Sequence, residues 1–149
     1  MSQKEIYILD KDKQWLNARI NELEKQIQGL GPEFYDVFNQ SSETWHDNAP
    51  FDALRDRQSV MFAEYSQLRI TRQNAALQLP KKRKGVVNIG SSVIINSKSY
   101  QIAGHWTPFA GQVVNEHVVV SMQSPLGETL LGKKVHDSTR FGVIEEIIN

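Results

Sequence analysis

The chain contains no cysteine. That excludes a disulfide scaffold, a zinc-thiolate centre and a thiol nucleophile. It has no net charge either, with 17 Lys and Arg against 17 Asp and Glu. A protein that coats duplex DNA through a generally basic surface is not expected from that balance. Long apolar runs are also missing: stretches such as Val118–Val120 are short, and none can span a bilayer. The opening MSQKEIYILDKDKQ has no signal-peptide core, so a soluble cytoplasmic protein is expected. Its 149 residues suit one ordinary domain, or a small domain joined to one long simple element. No phosphate loop, nucleotide fingerprint or nucleophile elbow is present.

The two halves of the chain differ in composition. Residues 1–80 hold glycine only at Gly29 and Gly31, and almost no β-branched runs. Most of the valine and glycine falls in the second half. Between the halves stands Lys81-Lys82-Arg83-Lys84, directly after Pro80. Residues 81–85 read as a basic linker, either a solvated hinge or a phosphate-contacting patch.

The first half has heptad spacing. Leu9, Leu16, Ile20, Leu23, Ile27 and Leu30 fall on one seam of a helix. A second seam runs through Leu54, Met61, Leu68 and Ala75, with Tyr65 and Leu79 between and beyond. The break between them is SSETWHDNAP, residues 41–50. Asp47 or Asn48 can cap the second helix, and Pro50 is tolerated in a first turn. Two helices with one reversal predict an antiparallel coiled-coil hairpin over 1–80. Arms of roughly 30 residues would be about 45 Å long. Gly31-Pro32 is expected to loosen or kink the first arm.

The second half alternates short β-rich runs with turns: Val86–Ile89, Ser92–Asn96, Tyr100–Ala103, Glu116–Ser121 and Phe141–Ile148. A short helix fits Ser124–Leu131, capped by Ser124, opened by Pro125 and ended by Gly132. The fold class is therefore α+β: the hairpin, then a small domain over 86–149, near the lower size limit for a self-sufficient core.

Charge is distributed unevenly along the hairpin. From Gln26 to Leu54 there is no Lys or Arg, while Glu33, Asp36, Glu43, Asp47 and Asp52 contribute five negative charges. Glu43, Asp47 and Asp52 fall at the predicted tip, near 43–52, with His46 among them. Clustered carboxylates repel one another unless a cation or basic partner relieves them, and oxygen donors of this kind suit Mg²⁺. The alternative is that they favour the start of the second helix and otherwise face water; Asp52 fits that role best. Arg55, one turn further on, is placed either to meet a phosphate or to pair with Asp52 or Asp56 on the helix surface. His105, His117 and His136 have no mutual ligand spacing and read as structural or surface residues. Trp106 reads either as an exposed contact or as a core plug.

Two segments resemble the bacterial GreA/GreB family of transcription elongation (transcript cleavage) factors. VVSMQSPLGETLLGK, Val119–Lys133, is similar to that family's signature of a strand, then Ser-Pro, then Leu-x-Gly-Lys, here Ser124, Pro125, Leu131, Gly132 and Lys133. DNAPFDALRDRQ, Asp47–Gln58, is similar to its tip-to-helix segment, with Asp47, Asn48, Ala49, Phe51 and Arg55 in register. Pro32-Glu33 also has a counterpart. The pattern departs from the family's in four places. Thr44 stands at the position of the first tip acid, with Glu43 one residue away. Pro50 replaces a glutamate. The C-terminus after Lys133 is short, and the family's acidic run is replaced by His105–Phe109.

The resemblance implies a hairpin that enters the secondary channel of bacterial RNA polymerase. It also implies an FKBP-like C-terminal domain that docks at the channel rim through Ser124 and Pro125. Asp47, with Glu43, would help hold a Mg²⁺ shared with the polymerase, and Arg55 would contact RNA near the nascent 3′ end. The factor would be no enzyme itself, would have no membrane role and would act as a monomer, stimulating the polymerase's cleavage of backtracked RNA. Thr44 gives the alternative, a channel-binding regulator that does not stimulate cleavage. A third reading is a coiled-coil and FKBP-like interaction module with no polymerase role.

Overall fold

The structure, a computed structural model, describes residues 5–43 and 49–149, with side chains described for 5–32 and 52–149. The chain forms two compact units. One is helical, Gln14–Gln73. The other joins the residues up to Lys13 to the segment Asn74–Asn149.

In the helical unit, α1 spans Asp10–Glu43 and α2 spans Ala49–Asn74. Leu16, Ile20, Leu23 and Leu30 of α1 are buried, as are Leu54 and Leu68 of α2. These are heptad positions, and Ile27, Met61 and Tyr65 on the same seams are half-buried. Polar bridges fix the direction of pairing. Arg72 Nη1 donates to Asn17 Oδ1 at 3.4 Å, and the Tyr65 hydroxyl donates to Glu24 Oε1 at 2.9 Å. A step of one heptad along α1 thus matches one heptad back along α2, which is antiparallel. Arg19 grips Glu64 with both ends of its guanidinium fork, at 2.7 and 2.8 Å, and reaches Glu22 at 3.2 Å. The fork raises the Arg19 pKa and holds the Glu64 carboxyl below its ordinary value. The helical hairpin expected from the heptads is present. Helix α1 runs through Gly31-Pro32 and continues to Glu43.

The second unit is a mixed six-stranded sheet with one short helix. Its strands are β1 (Ser92–Ile95), β2 (Lys98–Ala103), β3 (Val113–Val114), β4 (His117–Ser121), β5 (Ser138–Thr139) and β6 (Gly142–Ile148), in the order β3-β4-β2-β1-β6-β5. Helix α3, Pro125–Leu130, follows β4. All pairings are antiparallel except β2 with β4. The β1–β2 and β3–β4 hairpins turn on two left-handed residues each, Asn96-Ser97 and Asn115-Glu116, the geometry whose twist matches the flanking strands. Alternation along the strands turns Val93, Ile95, Ile102 and Ile144 inward, where they meet Val87 and Leu130 of α3 in one core. The expected strand at Val86–Ile89 is not one. Val87 instead exchanges single backbone bonds with residues after α3, its N–H to the Lys133 carbonyl and its carbonyl to the Gly132 N–H, both at 2.9 Å.

The structure divides the chain elsewhere than at residue 80. Leu9 does not join the hairpin seam; it packs with Ala103 and Val119, and Leu79 packs against the same cluster. Ile6 bridges Ala75 in parallel, donating to the Asn74 carbonyl at 2.9 Å and accepting from Ala76 N–H at 2.8 Å. Tyr7 accepts from His105 N–H at 2.7 Å and donates its own N–H to His105 Nδ1 at 2.8 Å. The residues before the hairpin and those after it therefore belong to the sheet unit. Heptad spacing alone cannot distinguish a leucine on a helix seam from one that plugs a sheet.

Asp12, in the first turn of α1, is fully buried. Burial pushes its pKa above the ordinary 3.8; the Thr107 side chain and the Lys11 charge pull less strongly the other way. A folded state that binds this proton more tightly than the unfolded chain is favoured below pH 3.8 and loses that advantage as pH rises through the folded value. At neutral pH the charged carboxylate is a standing cost. Asp12→Asn is therefore expected to stabilise the protein at pH 7, on the order of 1 kcal/mol, and to flatten the acid side of its stability profile. Urea titrations from pH 4 to pH 7 check this; an unchanged slope would refute it.

Candidate functional site

Of the two regions singled out by sequence, one is described in full. Ser124 is the N-cap of α3, in extended conformation at φ −68° and ψ 158°. Its Oγ accepts the Gly127 N–H at 3.0 Å and donates to the Ser121 carbonyl at 2.6 Å, so one hydroxyl closes both the loop and the helix. Pro125 takes the first helical position, where its missing N–H costs nothing, and is exposed. The helix ends at Leu130, and Gly132 is left-handed at φ +80°. The cap, the proline and the terminating glycine all occupy the positions expected from sequence.

Gly127 was not legible. A β-carbon there would lie 2.1 Å from the Ser121 carbonyl oxygen and 2.9 Å from Met122 Cα. The return of the β4–α3 loop onto the helix thus needs a bare backbone at that position. The Ser-Pro-Leu-Gly run is one rigid corner that presents Pro125 outward.

The hairpin tip is the second region. Asp47, with Thr44, His46 and Asn48, lies outside the described residues, and Glu43 is described as backbone only, the last residue of α1. The expected Glu43–Asp47 pair is therefore neither assembled nor separated by the structure. Two carboxylates are oxygen donors of the type Mg²⁺ takes, but too few to replace its water shell unaided. Among the described residues no group of three His, Asp or Glu side chains could hold a metal. Arg55 is exposed on α2 and reaches Asp52 Oδ1 at 3.1 Å, three residues back on the same helix. This is one of the surface pairs that spacing left open to it. With both side chains well exposed it contributes only a few tenths of a kcal/mol.

The three histidines outside the tip hold local structure. His105 Nδ1 accepts the Tyr7 N–H, and the two rings lie 5.4 Å apart. His117 Nδ1 meets the Ser99 hydroxyl across the parallel β2–β4 pair. His136, left-handed at φ +74°, donates its N–H to the Ile144 carbonyl at 2.8 Å. Trp106 is half-buried, intermediate between the two roles open to it. No helix among the described residues is long and apolar enough to cross a membrane.

No family model matches the chain. The transcription elongation factor GreA of Macrococcus caseolyticus is 30% identical over 99 residues, which is 61% of this chain and 58% of that protein. The chain thus spans less than two thirds of the curated relative it matches. Similar solved structures include GreA factor homolog 1 (Gfh1) of Thermus thermophilus, 19% identical at a TM-score of 0.41, covering 98% of this chain and 100% of that one. A structure of the transcription factor Gfh1 is 20% identical at 0.46, covering 96% and 94%, and Gfh1 of Thermus aquaticus is 18% identical at 0.41, covering 99% and 100%. Likenesses this distant assign no residue. The sequence similarity is low and partial, and it points to the broad GreA/GreB grouping, not to an individual protein.

Proposed function

We propose that the protein is a transcription regulator that binds RNA polymerase, inserts its helical hairpin into the secondary channel and does not itself stimulate transcript cleavage. The observation that carries this is the hairpin: two long antiparallel helices whose stretch from Gln26 to Leu54 holds five acids and no cation. An arm of that length suits insertion into a narrow passage. The low-identity match to a transcription elongation factor supports the same class. Thr44 at the position of the first tip acid argues against cleavage stimulation, since one carboxylate fewer weakens any hold on a divalent cation.

The protein acts as a monomer in this reading and catalyses nothing alone. The Ser124–Pro125 corner is the docking contact, its backbone fixed by the Ser124 cap. FKBP-like topology for the sheet domain belongs to the same proposal. A second reading retains cleavage stimulation and rests on Asp47, which stands in register with the second tip acid. Asp47 and Glu43 would then lend carboxylate oxygens to a Mg²⁺ held mainly by the polymerase, with Arg55 turning from Asp52 to the RNA.

A backtracked elongation complex with labelled RNA separates the readings. Binding without faster cleavage, unchanged by Asp47→Ala, is expected, and Pro125→Ala should weaken binding by about tenfold. Accelerated cleavage that fails with Asp47→Ala would establish the second reading. No binding at all would refute both.

A further inference from the structure

The basic run after Pro80 plays no part in the proposal above. The structure does not leave it as a free hinge. Arg83 N–H donates to Asn88 Oδ1 at 2.9 Å, and Asn88 Nδ2 returns to the Arg83 carbonyl at 2.9 Å and to the Val86 carbonyl at 3.1 Å. The Val87 bonds to Gly132 and Lys133 then hold this segment beside the end of α3. Arg83 Nη2 lies 3.1 Å from the place a β-carbon on Gly132 would occupy, so the guanidinium rests directly over that glycine.

Between these segments is a cleft of about 230 Å³. Its apolar surface comes from Pro80, Val87, Ile89 and Leu131, and its cations from Lys81 and Arg83; no carboxylate is among its lining residues. Lys82 and Lys84 flank it in sequence, and Lys133 and Lys134 follow Gly132. Two cations thus line the cleft, and four more stand next to its lining residues in sequence, in a chain whose net charge is zero.

We propose that this cleft is a docking site for an acidic protein segment carrying one apolar side chain between its carboxylates. The apolar lining would take the side chain, and the cations would meet the flanking acids. A phosphate backbone fits the cleft less well. The amides of Arg83, Val87 and Gly132 all donate to groups of the protein itself. They cannot cradle an anion, and the cleft surface between the cations is hydrocarbon. The proposal is independent of the polymerase reading and needs no polymerase to test.

The experiment uses the full chain and fluorescence anisotropy at low salt. The probe is a labelled peptide of glutamates around a central leucine. The same peptide with a central alanine and a single-stranded oligonucleotide of equal charge are the comparators. The leucine peptide should bind, and the alanine peptide about tenfold more weakly. The double variant Lys81→Glu, Arg83→Glu should weaken the leucine peptide by about tenfold or more while keeping the parent melting temperature. Lys98→Glu, outside the lining, should leave binding in place. Equal binding of the two peptides, tighter binding of the oligonucleotide, or indifference to the double variant would each overturn the proposal.

Discussion

Alanine at Gly104 is expected to lower the thermal midpoint by about 10 °C, as is alanine at Gly127. Gly104 does not need glycine for its backbone angles. It needs it because the Tyr7 carbonyl oxygen lies 2.0 Å from where a β-carbon would sit, with Tyr7 carbonyl carbon at 2.6 Å. Those atoms are backbone, and two hydrogen bonds between Tyr7 and His105 pin them in place. A methyl group can enter only by prising the N-terminal segment off the sheet. At Gly127 the obstacle is the Ser121 carbonyl, 2.1 Å away. Helix propensity works in the other direction there, since alanine is better than glycine in a helix by about 1 kcal/mol. A backbone clash of that closeness outweighs it. Gly29, in α1 with nothing within 4 Å of its added carbon, should show the propensity gain alone and melt slightly higher as Gly29→Ala. Midpoints for Gly104→Ala and Gly127→Ala within about 2 °C of the parent would refute the clash argument.

The second large effect is a gain. Pro32 lies inside α1, with helix on both sides. It removes the hydrogen bond that the Gln28 carbonyl would accept, and its ring crowds that carbonyl, at a cost of about 3 kcal/mol relative to alanine. Gly31, before it, eases the clash that any β-carbon would have with the proline ring. Pro32→Ala should therefore raise the stability of the helical unit by about 2–3 kcal/mol, read as a higher urea midpoint by far-ultraviolet circular dichroism. A lower midpoint would show that the proline is matched to its surroundings in a way the helix geometry does not reveal. If the outer arm must adapt inside a passage, the stiffer variant should bind polymerase no better despite being more stable.

Much of this was legible because it is local. Heptad spacing revealed the helices, since Leu16, Ile20, Leu23 and Leu30 need only each other's spacing to define a seam. Ser124, Pro125 and Gly132 announced α3, since caps act within a few residues. Arg55 and Asp52 pair across one turn of one helix. What escaped is long-range. Leu9 has the right spacing for the seam, yet its partners Ala103 and Val119 lie at the other end of the chain. Gly104 and Gly127 look like any other glycine until the backbone beside them is known. Asn88 looks like a turn residue, and nothing in its neighbours shows that it clamps the basic segment. The tip acids remain a matter of sequence alone.

The weave of the N-terminal segment into the sheet also sets an order of events during synthesis. Tyr7 and His105, partners in the fold, are separated by 98 positions. The two long helices, whose contacts are near in sequence, emerge in full before β2 does and can zip on the ribosome. Ile6, Tyr7, Ile8 and Leu9 leave the exit tunnel ahead of the hairpin, and their apolar side chains have no sheet to enter until the strands follow. A nascent chain whose residues up to Gln73 have left the tunnel, but whose Gly104 has not, therefore carries a finished arm and an unsheltered hydrophobic segment, which makes it a natural client of a ribosome-bound chaperone.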